Sequence, residues 1–306
     1  MKYIRKAMIK AVYALAFVVC VLAILYPLIS NYLYSRRQDQ IITEYTESVK
    51  QIDKTKLEEE RKACYLYNQK LIQTSTVITE EATNQQFRPD NPVDRAAYYD
   101  RLNPDGNGVM GFIIIPKINV YLSISHDTTE EVLAFGVGHL PESSLPVGGE
   151  GCHSVLTGHT GSTNKTIFTD LEQLEIGDLF YLSVLGETLA YQVDQVLVVL
   201  PYEVDELMIK EGEDLCTLVT CTPYGINSHR LLVRGKRTEL SEKQGEEAIG
   251  GEIVSETVET VVGTEDTNQF SRFKRYYLKA VLTGCFAAIF VLIGYLILRK
   301  VHRKST

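Results

Sequence analysis

The chain has 306 residues, a formal net charge of −8 at pH 7 and six cysteines. A net negative charge does not favour binding to the phosphate backbone of a nucleic acid, so nucleic acid is not expected as a partner. Six cysteines are too few for a dense disulfide scaffold. Because the sequence also lacks a Cys-x-x-Cys pair and any zinc-like spacing of histidines, we expect no metal and no other cofactor.

Two uncharged apolar runs lie near the ends of the chain, from Ala11 to Ile29 and from Ala280 to Leu298. Each is long enough to cross a bilayer, and only a helix satisfies its own backbone there. The first run could instead be a cleaved signal peptide, but it is long for one and no Ala-x-Ala site follows it. We interpret it as an uncleaved anchor.

Basic residues flank the outer end of each run, which predicts that both termini are cytoplasmic and the middle of the chain is extracellular. The sequence thus predicts a two-pass protein of the cell membrane. The predicted segments are a cytoplasmic tail over 1–10, a transmembrane helix over 11–29, a second transmembrane helix over 276–299 and a basic cytoplasmic tail over 300–306.

A polar stretch with one apolar face follows the first run. Its apolar residues Ile42, Tyr45, Val49 and Ile52 have the spacing of one side of a helix, which predicts helix over 38–75. Such a helix could be a solvated stalk or could pack against the domain that follows, and we favour packing. It belongs to a helical segment over 30–104 that could also carry a lid.

Short β-rich runs separated by turn residues begin at Met110. This pattern predicts a mainly β domain over 105–237, either a barrel or a sandwich. The predicted strands are 112–115, 120–124, 154–157, 179–184, 189–199, 215–220 and 231–233.

The segment over 238–275 is predicted to be an acidic flexible linker. Between Glu239 and Phe270 nine residues are acidic and one, Lys243, is basic. A segment with so few apolar residues cannot bury a core of its own.

Cys221 stands at the end of a predicted strand, before the turn-forming residues Thr222 to Gly225. A strand end can hold a thiol rigidly while exposing it to a substrate, whereas most structural cysteines are buried. Arg230 opens the next β run, so a hairpin would bring its cation near the thiol and favour the thiolate. His229 must face the opposite way from Arg230, and alternation alone leaves open which of them faces Cys221.

His159 is a second candidate for chemistry, because it ends a predicted strand between Gly158 and Gly161. A single histidine is more often structural than catalytic. Cys152 and Cys216 fall on what could be neighbouring strands, where a pair of buried thiols is favoured over a disulfide.

The segment Leu218-Val219-Thr220-Cys221-Thr222-Pro223-Tyr224-Gly225, continued by Ile226 to Gly235, resembles the active-site segment of class C, pilus-type sortases. The upstream motifs Gly136-Val137-Gly138-His139-Leu140 and Leu156-Thr157-Gly158-His159-Thr160-Gly161 resemble the same family in the same order. The resemblance covers roughly residues 105 to 237. It implies a closed sortase-type β-barrel with an N-terminal helical segment and two flanking transmembrane helices.

The resemblance also implies a cysteine transpeptidase of a Gram-positive-type cell envelope. Cys221 matches the nucleophile, His159 the histidine and Arg230 the arginine, while Thr220 is similar to a threonine that helps hold the substrate carbonyl. His229 would then point away. The implied substrate is a surface protein or pilin with a Leu-Pro-x-Thr-Gly-like signal, and the acceptor is an amine of a pilin lysine or of a cell-wall precursor.

The chain departs from that class in one respect, because it contains no Asp-Pro dipeptide and therefore no Asp-Pro-aromatic lid. An aromatic cover for Cys221 would have to come from elsewhere, such as Phe87, Tyr98 or Tyr99, or else the site is open. Three other functions compete with transpeptidation: a thiol endopeptidase that uses water, a sorting substrate, and a non-catalytic binding module. The second is disfavoured because no Leu-Pro-x-Thr-Gly motif precedes the last apolar run.

Overall fold

The structure is a computed structural model that describes residues 2–73, 95–160 and 167–239. The predicted linker beyond residue 239, the predicted second transmembrane helix, the basic tail and Phe87 lie outside the described residues. The chain divides into two compact units. The larger contains Ser35–Ser162 and Thr166–Val261, and the smaller includes Met1–Tyr34, which is helical from Lys2 onward.

Four α-helices are described. They are α1 (Lys2–Gln51), α2 (Lys54–Gln73), α3 (Arg95–Asp100) and α4 (Glu130–Leu133). The predicted helix over 38–75 is therefore present as the end of α1 and the whole of α2, with a break at Ile52 and Asp53. The run from Ala11 to Ile29 is helical as well, but none of the described helices combines the length and apolarity that a membrane crossing requires. The transmembrane assignment of 11–29 thus gains no support from the structure.

Eight strands close into a barrel with the order β1-β2-β3-β4-β7-β8-β6-β5. The strands are β1 (Val109–Ile115), β2 (Val120–His126), β3 (Val137–His139), β4 (Cys152–Thr157), β5 (Leu179–Val184), β6 (Glu187–Val199), β7 (Asp214–Thr222) and β8 (His229–Thr238). The pairs β2–β3 and β4–β7 are parallel, and the others are antiparallel. The barrel confirms the predicted closed, mainly β domain and excludes a sandwich.

The apolar face of α1 packs against the barrel. Ile42, Tyr45 and Val49 are buried in a cluster with Val109 and Phe112 of β1. The Tyr45 hydroxyl donates a hydrogen bond to the carbonyl of Met110 at 3.0 Å. Packing is thus observed rather than the solvated stalk, because the apolar face of this helix has a partner in the barrel wall.

Strand β7 is buried on both of its faces. Cys216 and Leu218 on one face are fully buried, while Val219 on the other packs with Val155 and Leu232 in a second apolar cluster. Burial on both faces explains why β7 contains no charged residue after Asp214, whereas β5 alternates between buried and half-buried residues. The strand that carries Cys221 is therefore firmly held.

Cys152 and Cys216 are free thiols. The β4–β7 register pairs Cys152 with Asp214 and Cys216 with Ser154, so the two sulfurs are not opposite each other. Burial raises the pKa of Cys152 to about 11 and also raises the pKa of Cys216, which keeps both thiols protonated and unreactive.

Candidate active site

Cys221 lies one residue before the end of β7 and is half-buried. The β7–β8 register pairs Cys221 directly with Arg230, and Thr222 with His229. Residues opposite each other in an antiparallel pair project their side chains from the same face. Arg230 therefore shares the face of Cys221, and His229 projects from the other face, which resolves the ambiguity that the sequence left.

His159 reaches the same place from the other side of β7. The parallel register pairs Thr157 with Val219, and the amide of Gly158 donates to the carbonyl of Val219 at 3.0 Å. His159 is two residues beyond Thr157, and Cys221 is two residues beyond Val219. Continued for two residues, this register sets His159 opposite Cys221, so we expect the imidazole to lie near the thiol.

The lack of a side chain at Gly158 allows the loop that carries His159 to lie close to Phe168 and Ile167. A Cβ atom at this position would lie 2.7 Å from Cδ2 of Phe168 and 3.0 Å from Cγ2 of Ile167. The amide of Phe168 in turn donates to the carbonyl of His159 at 3.0 Å. The glycine therefore serves a close approach that fixes the backbone of His159.

Thr220 is buried and points away from Cys221 into the His159 loop. Its Oγ1 donates to the carbonyl of Gly158 at 2.6 Å and lies 3.0 Å from Oγ1 of Thr160. Because the single hydroxyl proton is directed at Gly158, Thr220 is a positioning residue for His159 in this structure. Direct contact of Thr220 with a substrate carbonyl stays a prediction.

We expect Thr220→Val, which keeps the shape but removes the hydroxyl, to lower the rate of thioester formation by about tenfold to a hundredfold, because small displacements of catalytic groups have effects of that size. Loss of the hydrogen bond should also reduce the free energy of unfolding by about 1–2 kcal/mol. Thr220→Ser keeps the donor and should retain most of the activity. Full activity in Thr220→Val, measured with a peptide substrate, would contradict a positioning role.

Glu130 was not identified from the sequence as a site residue. It opens the short helix α4, and its Oε1 lies 3.5 Å from Nε2 of His159. Its side chain is largely exposed, so the ion pair that forms when His159 is protonated is a weak one. No local pattern marks Glu130, because it is one acidic residue among 39.

A pocket opens beside Cys221 at the end of the barrel. Its lining consists of Thr160, Thr169, Glu172, Thr220, Cys221, Thr222, Tyr224 and Leu231. The sequence analysis identified only Cys221 and Thr220 of these as site residues, although the quoted motifs also contain Thr160, Thr222, Tyr224 and Leu231. Thr169 and Glu172 come from a separate segment that only the fold brings to the pocket. A molecule bound in this pocket can therefore reach the Cys221 thiol.

The candidate aromatic covers from α3 lie elsewhere. Tyr98 is buried, with its hydroxyl 3.0 Å from Nδ1 of His139, and the Tyr99 hydroxyl donates to Oδ2 of Asp127 at 2.6 Å. Neither lines the pocket at Cys221. Neither tyrosine therefore covers the thiol in this structure, because both make polar contacts near β2 and β3, which leaves Phe87 or an open site as the alternatives.

Other described histidines are bound into the fold. His126, His139 and His153 are buried, and both ring nitrogens of His153 have partners, the carbonyl of Met208 at 2.9 Å and Oγ1 of Thr217 at 2.7 Å. Burial lowers the pKa of His139 to about 3 and that of His153 to about 4. These two side chains are therefore neutral and structural at neutral pH.

Comparison with known proteins places this site in a family. The Sortase domain family model matches residues 113–238. The structure of sortase C-1 from Actinomyces oris is 46% identical, covers 60% of this chain and 99% of its own, and has a TM-score of 0.55. Sortase C1 from Streptococcus agalactiae is 40% identical, with coverages of 66% and 100% and a TM-score of 0.58.

Two further relatives add detail. A sortase C of Streptococcus pneumoniae, whose structure was described in relation to catalysis and pilin substrate specificity, is 38% identical over 65% of this chain and 97% of its own, with a TM-score of 0.54. The curated Sortase A of Bacillus anthracis is 32% identical over 131 residues, and the match spans 60% of its length and 43% of this chain.

Proposed function

This chain belongs to the sortase family of cysteine transpeptidases, as the resemblance to class C sortases implied, and we propose that its reaction begins when Cys221 attacks a peptide carbonyl. The observation that carries the proposal is the position of β7 between β4 and β8, since their registers bring His159 and Arg230 to the level of Cys221. Thr220 contributes indirectly, because its hydrogen bond to Gly158 holds the loop that carries His159.

The proposed steps follow from these positions. The Cys221 thiolate attacks the carbonyl carbon, and the Arg230 guanidinium stabilises the oxyanion. The C–N bond then breaks, His159 gives a proton to the leaving amine, and the acyl group remains on sulfur as a thioester. An acceptor amine attacks the thioester, His159 takes a proton from its nitrogen, and the thiolate leaves with the electron pair of the C–S bond.

The proposed donor is a surface protein or pilin with a Leu-Pro-x-Thr-Gly-like signal. The proposed acceptor is a lysine amine of a pilin, with an amine of a cell-wall precursor as the other source. Support for the pilin comes from the similarity to the pneumococcal sortase C, for which pilin specificity was described. The chemistry requires only that the acceptor be a primary amine.

The proposed location is the outer face of the cell membrane. This proposal rests on the sequence, where an apolar run stands near each end of the chain with basic residues outside it. Both apolar runs would then lie in the lipid bilayer, and the barrel would bind its substrates outside the cell.

Mass spectrometry of the full-length protein tests the reaction. After incubation with a sorting peptide, we expect an acyl adduct on Cys221 and none on the buried Cys64, Cys152 or Cys216. Addition of an amine should convert the adduct to an amide product, and Cys221→Ala should form neither. Hydrolysed peptide as the sole product would favour a thiol endopeptidase, and no adduct at all would contradict the proposal.

A further inference from the structure

The pocket beside Cys221 has an acidic wall. Glu172 lines it, and no described residue of the lining carries a positive charge. The remaining wall combines threonine hydroxyls with the ring of Tyr224 and the apolar side chain of Leu231. A carboxylate and an aromatic face at one site favour a cation with an apolar stem.

Glu172 is held in place by its neighbours although its own side chain is exposed. It lies in a single 3₁₀ turn, Leu171–Gln173, whose flanking Leu171 and Leu174 are buried. The backbone N–H of Gln173 donates to the carbonyl of the buried Asp170 at 2.9 Å, which closes the turn, and Nε2 of the Gln173 side chain donates to Oδ1 of Asp170 at 2.6 Å. The backbone that carries the Glu172 carboxylate is therefore fixed at the edge of the pocket.

The other side of Cys221 has the opposite character. Val219 is two residues earlier on the same face of β7, and it packs with Leu140, Val155 and Leu232 in an apolar cluster. Arg230 also lies on that face. The thiol therefore stands between an apolar, cationic surface and a polar, acidic pocket, and the two substrates of a transfer reaction can be bound on different sides.

We propose that Glu172, with Tyr224, is the residue that binds the incoming acceptor and selects a primary alkylammonium group such as a lysine side chain. The inference rests on the proposed function, since it names the acceptor side of that reaction. Glu172 pairs with the ammonium group, the Tyr224 ring faces the cation, and Leu231 contacts the aliphatic stem.

The bound ammonium must lose a proton before it reacts. One proton passes from the ammonium to solvent, and the freed nitrogen lone pair forms the new C–N bond with the thioester carbon. A second proton then passes from that nitrogen to His159, and the C–S electron pair returns to Cys221 as thiolate. Glu172 therefore raises the occupancy of the acceptor at the site. It takes no part in the formation of the thioester, which precedes acceptor binding.

The test compares two acceptors, Nα-acetyl-lysine amide, which is cationic, and hydroxylamine, which is neutral at pH 7. We expect Glu172→Gln to raise the KM for the lysine derivative about twofold to fivefold, the range for the loss of an exposed charge pair. The KM for hydroxylamine and the rate of thioester formation should not change. Glu172→Lys should raise the KM for the lysine derivative further.

Glu175→Gln is the matched control, because Glu175 is in the same loop, binds Lys117 and does not line the pocket. It should leave both KM values unchanged. An unchanged KM for the lysine derivative in Glu172→Gln, or equal increases for both acceptors, would overturn the role of Glu172 while normal thioester formation keeps the proposed function intact. Absence of any thioester in the unmodified protein would overturn the proposed function itself, and this inference with it.

Discussion

Arg230→Ala should lower the rate of thioester formation by about a hundredfold or more, because the loss of one group that stabilises the oxyanion has an effect of that size. Arg230 lies directly opposite Cys221 in the β7–β8 pair. Its Nη1 donates to the carbonyls of Asn227 at 3.3 Å and His229 at 3.2 Å, which orients the guanidinium at the start of β8. Stopped-flow or quenched reactions with a peptide substrate measure the change.

His229→Ala is the matched control for Arg230→Ala. His229 is the adjacent residue but lies opposite Thr222, on the other face of the strand, and its Nδ1 is 2.8 Å from the hydroxyl of the neighbouring Ser228. Its replacement should change the rate by less than about threefold, as expected for a substitution away from the reacting atoms. Equal losses in the two variants would show that the face assignment is wrong.

His159→Ala should lower the rate of acyl transfer by about a hundredfold to ten-thousandfold, the usual contribution of a general acid and base. The thermal midpoint should change little, because the side chain is partly exposed and its contact with Glu130 is long, at 3.5 Å. A rate measured together with a thermal scan separates the chemical role from a structural one.

His153→Ala provides the contrast for His159. Its removal leaves the carbonyl of Met208 and the hydroxyl of Thr217 without their buried partner, which should lower the free energy of unfolding by about 1–3 kcal/mol. Activity at a temperature where the variant is folded should stay near that of the unmodified protein. If His159→Ala instead lost stability and kept its activity, the assignment of the two histidines would be reversed.

Much of the barrel could be predicted from the sequence, because its strands have strong apolar patterns between turns. The predicted bounds of the segment over 179–184 match the structure, and the other predicted strands are longer in the structure by one to five residues at one or both ends. Strand β3 was missed. It has only three residues, and its middle residue is Gly138, so it carries no alternation that a pattern could detect.

The candidate site was predictable only in part. Cys221, His159 and Arg230 follow from motifs, but the choice between Arg230 and His229 needed the pairing register, since a shift of one residue exchanges the two faces. Glu130 and Glu172 could not be found, because an exposed glutamate has no local signature and its position depends on loops that only the fold brings together. Whether Cys152 and Cys216 form a disulfide likewise depends on the register of the β4–β7 pair, which does not set the two residues opposite each other.

The order of the strands has a consequence for how the enzyme becomes active. The β7–β8 hairpin is local in the chain, whereas the β4–β7 contact joins residues 62 apart, as the bond between Thr220 and Gly158 shows. Contacts between distant residues form later in folding, since long loops must close first. We therefore expect an incompletely folded chain to hold a thiol beside a guanidinium but no imidazole, so the nascent protein stays inert until its barrel closes.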